Sequence, residues 1–546
     1  MKIPRLSAFL IATLFSNLVH AQSADNPLYR HIPADADKVF HINFSKLSTN
    51  IDWKSLSAVA PKKDDLQKLV NYLSDPAQAG VDAGPGVLIA QSNTTKPDSP
   101  QYTTVLFAVS DSAKLIKLLR EGNKPNTTNS NLVIHPGKPR TATLEKTTLA
   151  WNDKVMVMTF VKAPVATGAT KTDTRPSGEV AIHKYMLAAA RKAVAALKGF
   201  DNSPYVTDNF FREGFADDAD FHLYTRMNAG LGFATTMMQV ARPPMNPAFL
   251  KASEQMKNNF ARTVGALRFD AGKITYRTRV IYDSIGKLDF GGRPMKTALV
   301  EHLPPGNLLG LATLHLDMES YLNMMQVIQK GKSLHMLDSV LAKSGLKTSD
   351  IFAAFKGDIV IAAIDNGKAP EPATDSLGKP RLGTPDFFFI FTVKDKAAFD
   401  KVNSVIHLIK DPNAPATDTA KSLLGKWKRA YAIHDDTYVL APNQQAADDY
   451  FSKPGRGSSR LLTEEVKESP FALAIDIKAI SEFLKPVMSG SQKNQQAQVI
   501  LGLFDMLSFT SAHVHGSTME TTVELRMADQ QKNSLQTLMQ LLPHQQ

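Results

Sequence analysis

The sequence contains no cysteine, and this one absence removes several kinds of chemistry. A chain without a thiol has no disulfide, no thiolate nucleophile and no zinc site with cysteine ligands. It also has no lipobox cysteine that could carry an acyl anchor. Such a chain loses nothing in an oxidising compartment, because it has no thiol to oxidise.

Long apolar runs and runs of one charge sign are missing as well. Beyond the N-terminal segment, no stretch reaches the roughly 18 consecutive apolar residues that a transmembrane helix needs. The net charge is +11 at pH 7, but the Lys and Arg residues are dispersed along the chain. None of their clusters reaches the five or six like charges typical of a dedicated tail. We therefore predict a solvated basic surface, no transmembrane segment and no specific nucleic-acid binding.

Four common active-site motifs are also absent from the sequence. It has no G-x-x-x-x-G-K-[ST], no G-x-G-x-x-G after a strand, no H-E-x-x-H and no G-x-S-x-G. These absences argue against P-loop hydrolysis, dinucleotide binding, zincin proteolysis and the α/β-hydrolase mechanism. The sequence thus assigns no catalytic, cofactor-binding or metal-ligating residue and implies no cofactor. It leaves open whether the protein is an enzyme, and it favours one that is not.

The clearest feature that is present is an export signal. Lys2 and Arg5 form a short basic region, residues 6–19 are mainly apolar, and small or branched residues precede Ala21. This pattern is typical of a cleavable signal peptide, and we predict cleavage after Ala21. The mature chain is then expected to be soluble in the periplasm or outside the cell. Its net charge falls to +9, because Lys2 and Arg5 leave with the signal.

Two long parts of the chain share one pattern of strands and turns. Pro33 and Pro304 open similar segments 271 residues apart, and the strands that begin near Gly86 and Gly357 have the same offset. A constant offset over more than fifty residues indicates an internal duplication. We predict a signal peptide at 1–21 and two α+β halves at 27–298 and 299–546. In each half we expect antiparallel or mixed sheets with helices packed mainly on one side.

Several local features are predicted within this layout. Asp residues that follow strands are expected to cap the next helix, and Asn-Asp or Asp-Asp pairs are expected to turn hairpins. The Ala-rich segment 180–197 predicts a helix, and the apolar run 387–391 predicts a strand buried on both faces. The three Trp side chains are expected to pack in cores or interfaces. The capping residues are Asp111 and Asp395, the hairpin turns are 152–153 and 435–436, and the Trp residues are Trp53, Trp151 and Trp427.

The opening of the mature chain also carries a family resemblance. After the export signal, residues 32–53 read IPADADKVFHINFSKLSTNIDW, with I-P-x-D-A, a strand, Ser-x-Leu and a Trp. This opening resembles the DUF4836 family of exported Bacteroidota proteins. The resemblance implies an exported protein of no assigned activity, so it supplies no catalytic residues. Many members of that family look like lipoproteins with a cysteine after the signal, and this chain departs from that pattern.

A few residues invite a functional interpretation and have a plainer alternative. His513 and His515 share one face of a strand and could bind a metal, but no third ligand is visible, and tolerated polar residues are the simpler interpretation. Asp217, Asp218 and Asp220 lack the spacing of a calcium loop and predict a solvated turn. Ser376 and Thr419 follow Asp in predicted loops, where O-glycosylation is a hypothesis.

Two classes of function are consistent with these observations. The leading hypothesis is a noncatalytic binding or scaffold protein of the cell envelope, with an envelope protein or a glycan as its partner. The alternative is a hydrolase-type enzyme with an unrecognised site between the two halves. A polar cleft with paired carboxylates of raised pKa would favour the enzyme, and a flat or apolar groove would favour the binding protein.

Overall fold

A computed structural model gives the architecture of the chain. It describes residues 26–51, 75–92, 99–121, 133–135, 140–144, 147–162, 178–201, 203–226, 262–281, 296–304, 306–315, 317, 342, 345–367, 382–408, 430–452, 460–488, 492–511 and 518–539. The chain divides into two compact units. Unit 1 comprises the described residues of 1–229, 262–271 and 532–546, and unit 2 comprises those of 230–261 and 272–531.

The described part of unit 1 is built on one antiparallel sheet of nine strands. Their order is β4-β5-β6-β7-β3-β2-β1-β8-β9, so the first strand of the chain lies inside the sheet. The strands are β1 Ala36–Ile42, β2 Val81–Ser92, β3 Gln101–Val109, β4 Val133–His135, β5 Arg140–Leu144, β6 Thr147–Trp151, β7 Val155–Lys162, β8 Phe221–Thr225 and β9 Arg262–Asp270.

Helices lie against both faces of the unit 1 sheet. One face packs its apolar residues, such as Phe107 and Leu149, against side chains of α1 and α2 that include Phe44 and Leu115. The opposite face lies under α3, which contacts β6 and β7. The helices of this part are α1 Phe44–Asn50, α2 Ser112–Glu121, α3 Gly178–Lys198, α4 Pro204–Thr207 and α5 Asn209–Phe215, with 3₁₀ turns at Tyr29–His31 and Pro76–Ala79.

The described part of unit 2 contains a second antiparallel sheet of nine strands. Their order is β10-β18-β17-β16-β11-β12-β13-β15-β14. Around its inner strand β11 the order of connections matches that around β1 in unit 1. The strands are β10 Lys273–Ile281, β11 Asn307–His315, β12 Phe355–Asp365, β13 Asp386–Val393, β14 Ala430–His434, β15 Thr437–Ala441, β16 Phe471–Asp476, β17 Phe504–Ser511 and β18 Thr518–Met527.

Helices again lie against both faces in unit 2. The core with Phe388 and Ile390 includes side chains of α6, α9 and α10, whereas Phe391, on the other face of β13, packs against α7 and α8. A fold with helices mainly on one side is therefore corrected to one with two covered faces. The helices are α6 Ala298–Glu301, α7 Thr348–Ala354, α8 Lys396–Leu408, α9 Gln444–Ser452, α10 Glu464–Glu468, α11 Ile477–Met488 and α12 Gln492–Gly502.

The end of the chain returns to unit 1. Helix α13, Ser534–Met539, follows β18, yet Asn533 Nδ2 donates a hydrogen bond of 2.7 Å to the Phe269 carbonyl on β9. Leu535 packs against the unit 1 core. Conversely, β10 pairs with β18 over its whole length and so belongs to unit 2. The units thus differ from the predicted halves 27–298 and 299–546. The α+β class with antiparallel sheets is confirmed, and the duplication stays a prediction.

Most local predictions on described residues are confirmed. Asp111 Oδ1 accepts from the Ala113 amide at the start of α2, and Asp395 Oδ1 accepts from the Ala397 amide at the start of α8. The turns at 152–153 and 435–436 join β6 to β7 and β14 to β15, and the helix predicted at 180–197 is α3. Trp151 is fully buried.

One strand prediction is wrong for one face of the strand, and several other predicted features lie outside the described residues. In β13 Phe388 and Ile390 are buried in the core, whereas Phe387, Phe389 and Phe391 on the other face are only partly buried. The strand is therefore more open than its apolar run indicates. The signal peptide at 1–21, Trp53, Trp427 and the His513–His515 pair lie outside the described residues.

Candidate functional site

A row of threonines crosses the unit 1 sheet on the face that lies under α3. Thr143, Thr148, Thr159 and Thr104 are register partners across β5, β6, β7 and β3. Successive side chains of a strand point to opposite faces, so these threonines alternate with apolar residues such as Leu149 that enter the core on the other side. We call these four residues the threonine row.

Helix α3 approaches this face closely because its inner side is made of small residues. Ala189, Ala193 and Ala196 are fully buried. Alanine also favours the helix intrinsically, since it loses no side-chain entropy on folding. On the neighbouring side of the helix, Arg191 and Lys198 are exposed and Val194 is half-buried. The helix therefore has an apolar inner side and a basic flank.

That flank and the outer strands enclose a groove of about 440 Å³. Its floor carries Thr141 and Thr143 from β5 and Thr148 from β6, and its wall is the C-terminal half of α3. A volume of this size falls within the range of small-molecule sites in proteins. We call it the α3 groove.

The floor of the α3 groove holds a polar atom without a hydrogen-bond partner. Thr148 is 1% exposed, and its Oγ1 is buried and makes no hydrogen bond within the described part of the chain. Deeper in the threonine row, by contrast, the hydroxyls of Thr104 and Thr159 lie 3.5 Å apart. A buried hydroxyl without a partner destabilises the folded state by about 1–3 kcal/mol. Thr148 thus carries an unmet hydrogen bond at the edge of a groove.

The charges that line the α3 groove are all positive. Arg191 and Lys198 form no ion pair with any described residue, and no carboxylate lines the groove. Their neighbour Lys192 differs, because it pairs with Asp35 at 2.5 Å and lies 5.0 Å from the centre of the Tyr102 ring. Two uncompensated cations on a partly apolar wall create a positive local potential.

A second polar feature of unit 1 is a buried histidine pair that the sequence analysis missed. His41 on β1 and His222 on β8 are register partners, and their Nδ1 atoms lie 3.2 Å apart. Burial lowers the pKa of His41 to about 3 and that of His222 to about 4. Gly86 makes room for this arrangement, since a Cβ there would lie 2.5 Å from His41 Nε2.

The histidine pair is poorly suited to catalysis. His41 is fully buried and His222 is 1% exposed, and Phe215 stacks on the His222 ring. His41 Nε2 lies 3.2 Å from the Pro85 carbonyl, and His222 Nε2 lies 2.7 Å from the Asp217 carbonyl. All the ring nitrogens therefore face protein atoms, and this geometry fixes the rings in place.

Unit 2 contains a buried histidine–carboxylate pair. His315 Nδ1 lies 2.8 Å from Asp358 Oδ1, and the Asp358 amide donates to Thr392 Oγ1 at 3.0 Å. This contact orients the imidazole as a carboxylate does in a catalytic triad. No described hydroxyl or amine hydrogen-bonds to His315 Nε2, so the part of the triad that would attack a substrate is missing from the described residues.

The acidic cluster before β8 is folded into the protein, so the prediction of a solvated turn is wrong for Asp220. Asp217 pairs with Arg268, and Asp218 pairs with Lys46 at 2.9 Å. Asp220 is fully buried and accepts hydrogen bonds from the Phe269 amide at 2.7 Å and Asn50 at 3.0 Å.

The pKa of Asp220 follows from this location. Burial raises it above its usual range, and the two donors act in the opposite direction. Since both carboxylate oxygens of Asp220 already have protein partners, this carboxyl group holds α1 and β9 to the start of β8 and is not available to a ligand.

The described part of the chain offers no metal site, and the remaining candidate residues lie outside it. Ser376 and Thr419 lie outside the described residues, as does the His513–His515 pair. Within the described ranges no group of three or more His, Asp or Glu side chains could hold a metal ion. None of the helices in those ranges is long and apolar enough to cross a membrane.

Sequence reasoning missed the α3 groove, although parts of its signal were visible. Arg191 and Lys198 are seven residues apart, which places them on one helix face. The segment 147–151 reads as an ordinary strand, and nothing local indicates that it lies beside that face. The floor and the wall are separated by an intervening stretch of chain, so only the fold brings them together.

Comparisons with known proteins do not extend this picture. No protein-family model matches the chain, and no curated protein is significantly similar to it. Among solved structures, crystal forms III, I and IV of TP0453 are similar at 11%, 12% and 8% identity. They cover 47%, 46% and 46% of this chain and 81%, 77% and 79% of their own, with TM-scores of 0.25, 0.24 and 0.25. TM-scores this low support no conclusion about fold or function.

Proposed function

We propose that the protein is an exported, noncatalytic binding protein of the cell envelope and that the α3 groove is its ligand site. The observation that carries this proposal is Thr148, which borders the groove and whose buried hydroxyl has no hydrogen-bond partner among the described residues. Buried polar groups are nearly always paired, and an exception beside a cavity is most simply explained by a ligand that completes it. Export and the DUF4836 resemblance are part of the same proposal.

The enzyme alternative has less support from the described residues. Its best candidate is the His315–Asp358 pair, in which no described hydroxyl hydrogen-bonds to His315 Nε2. Burial raises the pKa of the Asp220 carboxyl group, but its oxygens are occupied by protein donors. An envelope protein or a glycan as partner remains a prediction from the sequence, separate from the groove.

Filling the α3 groove should abolish ligand binding. Ala195 is half-buried on the groove wall, so Ala195→Trp would occupy the cavity without removing a polar contact. We expect a small molecule to be recovered from wild-type protein purified from its native host and then denatured. Mass spectrometry of the extracts should show at least a tenfold smaller amount from Ala195→Trp.

Lys184→Trp is the matched control, because Lys184 is exposed on the same helix and does not line the groove. It should retain the wild-type amount of ligand. Thermal unfolding of all three proteins checks that each variant is folded. Equal recovery from Ala195→Trp and wild type, or no bound molecule in either, would overturn the proposal.

A further inference from the structure

We infer that the ligand of the α3 groove is an oxyanion carried on a slim aliphatic body. This inference rests on the proposed function and specifies the ligand class. It follows from three properties of the lining: its charge, the Thr148 hydroxyl that has no partner among the described residues, and its small apolar side chains. The first two properties point to the head group of the ligand and the third points to its body.

The charge of the lining selects an anion. Arg191 and Lys198 are seven residues apart on α3, so they lie on one face about 10 Å apart along the axis. Both line the groove, and neither is paired with a described acidic group. Arginine presents a planar fork of donors that suits the two oxygens of a carboxylate or phosphate. Lysine adds a point charge on a flexible stem.

The hydroxyl of the floor selects an oxygen acceptor. Thr148 Oγ1 can donate to a ligand oxygen or accept from a ligand hydroxyl. Because the cations of the groove already attract an anion, its oxygen is the natural partner, and a hydrogen bond to an ionised acceptor is stronger than a neutral one. A bound oxyanion would thus meet the positive charge of the wall and bring an acceptor to the part of the floor that Thr148 borders.

The rest of the lining selects an aliphatic body. Between the two cations the wall consists of Val194 and Ala195, and Ala190 lies one turn before Val194. Leu187, which is 51% exposed one turn before Arg191, continues this apolar stripe beyond the groove. None of the described residues that line the groove is aromatic, so they offer no flat surface on which a sugar ring could stack. A narrow alkyl chain fits small aliphatic side chains better.

The oxyanion can be a carboxylate or a phosphate monoester, and suitable probes distinguish these sources. We would measure dissociation constants by isothermal titration calorimetry with octanoate, octyl phosphate and the uncharged octanol. Acetate and inorganic phosphate report on the head groups alone. The proteins are the wild type, Arg191→Gln and Lys198→Gln, singly and combined. Lys154→Gln, which removes an exposed charge at the β6–β7 turn, is the control.

We expect at least one of the two octyl anions to bind tenfold or more tightly than octanol. Each groove substitution should weaken that binding about five- to tenfold. Lys154→Gln should leave it unchanged, and acetate and inorganic phosphate should bind much more weakly. The tighter of the two octyl anions identifies the head group.

Two results would overturn the inference: octanol binding as tightly as the anions, or no binding of either anion. Neither result touches the proposed function, which is judged by the ligand recovered from wild-type protein and lost in Ala195→Trp. Conversely, if Ala195→Trp binds the anions as wild type does, the α3 groove is not their site, and the proposed function fails with the inference.

Discussion

At the scale of single residues, the most informative feature is a pair of buried hydroxyls with different surroundings. Thr148 and Thr313 are each 1% exposed, and the Oγ1 of each lacks a partner among the described residues. Thr148 borders the α3 groove, and Thr313 lies on β11 in unit 2. The same substitution can therefore be tested at the α3 groove and at a site in unit 2.

Replacing either threonine with the nearly isosteric valine should stabilise the unliganded protein. We expect Thr148→Val and Thr313→Val each to raise the free energy of unfolding by about 1 kcal/mol, because the cost of burying an unpaired hydroxyl disappears. Urea denaturation measures this change. Only Thr148→Val should also weaken the binding of an octyl anion. A loss of stability in Thr148→Val alone would mean that its hydroxyl is satisfied in the folded protein.

The histidine pair of unit 1 is a second feature at this scale. A carbonyl only accepts hydrogen bonds, so each Nε2 that faces one must carry the proton. If both rings are neutral and bonded in this way, their Nδ1 lone pairs face each other at 3.2 Å. Burial therefore opposes a positive charge on either ring, whereas the facing lone pairs repel each other and a single proton between the two Nδ1 atoms would relieve that repulsion.

This pair should make the folded protein sensitive to mild acid. In the unfolded chain a histidine takes up a proton near pH 6.5, whereas His222 in the folded protein stays neutral until the pH falls to about 4. Stability is therefore full above pH 6.5 and declines as the pH falls from 6.5 towards 4. His222 alone accounts for a loss of about 3 kcal/mol. Urea denaturation at pH 7 and at pH 5 measures the decline.

Substitution of both buried histidines should flatten this dependence. His41→Leu combined with His222→Leu removes the groups that take up protons in the unfolded chain. His434, which is 70% exposed in its side chain, provides the control His434→Gln. That control should keep the wild-type decline. An unchanged decline in the double variant would show that other groups cause it.

At the scale of elements, the sequence predicts local structure well because the signals are local. Alanine content and length define α3, and Asp111 and Asp395 cap their helices through contacts two residues away. The turns at 152–153 and 435–436 depend on residues inside the turn itself. In contrast, the apolar run at 387–391 shows hydrophobicity and not how completely each face is covered, so it does not show that one face of β13 is only partly buried.

The candidate site could not be predicted at this scale. Its floor is a Thr-rich strand that reads like any half-buried strand, and its wall is one face of a helix. Their meeting depends on the strand order β5-β6-β7-β3, which is set by pairings between distant segments. Spacing alone shows that Arg191 and Lys198 share a face and does not show what the face borders.

At the scale of the whole molecule, the two units share the strand order around β1 and β11, but neither unit is one continuous stretch of chain. The repeat of 271 residues predicts two consecutive halves. Instead, β10 follows β9 of unit 1 in the chain but pairs with β18 in unit 2, and α13 follows unit 2 in the chain but belongs to unit 1. The constant offset predicts which segments resemble each other, whereas the compact units depend on where each segment finds its partners.

Removing the residues from 532 onward should destabilise unit 1, although they follow unit 2 in the chain. Ser534 is fully buried, Leu535 packs on the unit 1 core, and Asn533 bonds to β9. We expect a chain ending at Gln531 to lose about 2–3 kcal/mol of unit 1 stability, mainly from the apolar side chain. Hydrogen–deuterium exchange should accelerate in β8 and β9 and stay unchanged in β11 and β12.

Leu535→Ala is the milder companion to this truncation and should accelerate exchange in the same strands to a smaller extent. Faster exchange in unit 2 alone would contradict the assignment of α13 to unit 1. Exchange that is unchanged everywhere would show that α13 contributes no stability.

The position of α13 also constrains the order in which the protein can reach its final form. A ribosome releases the N-terminus first, so β9 emerges long before the residues that cover it, since 264 positions separate Phe269 from Asn533. Domains generally fold as units during synthesis, but unit 1 cannot be completed in this way. Until the last residues appear, part of its core stays uncovered, which gives chaperones a defined interval in which to bind it.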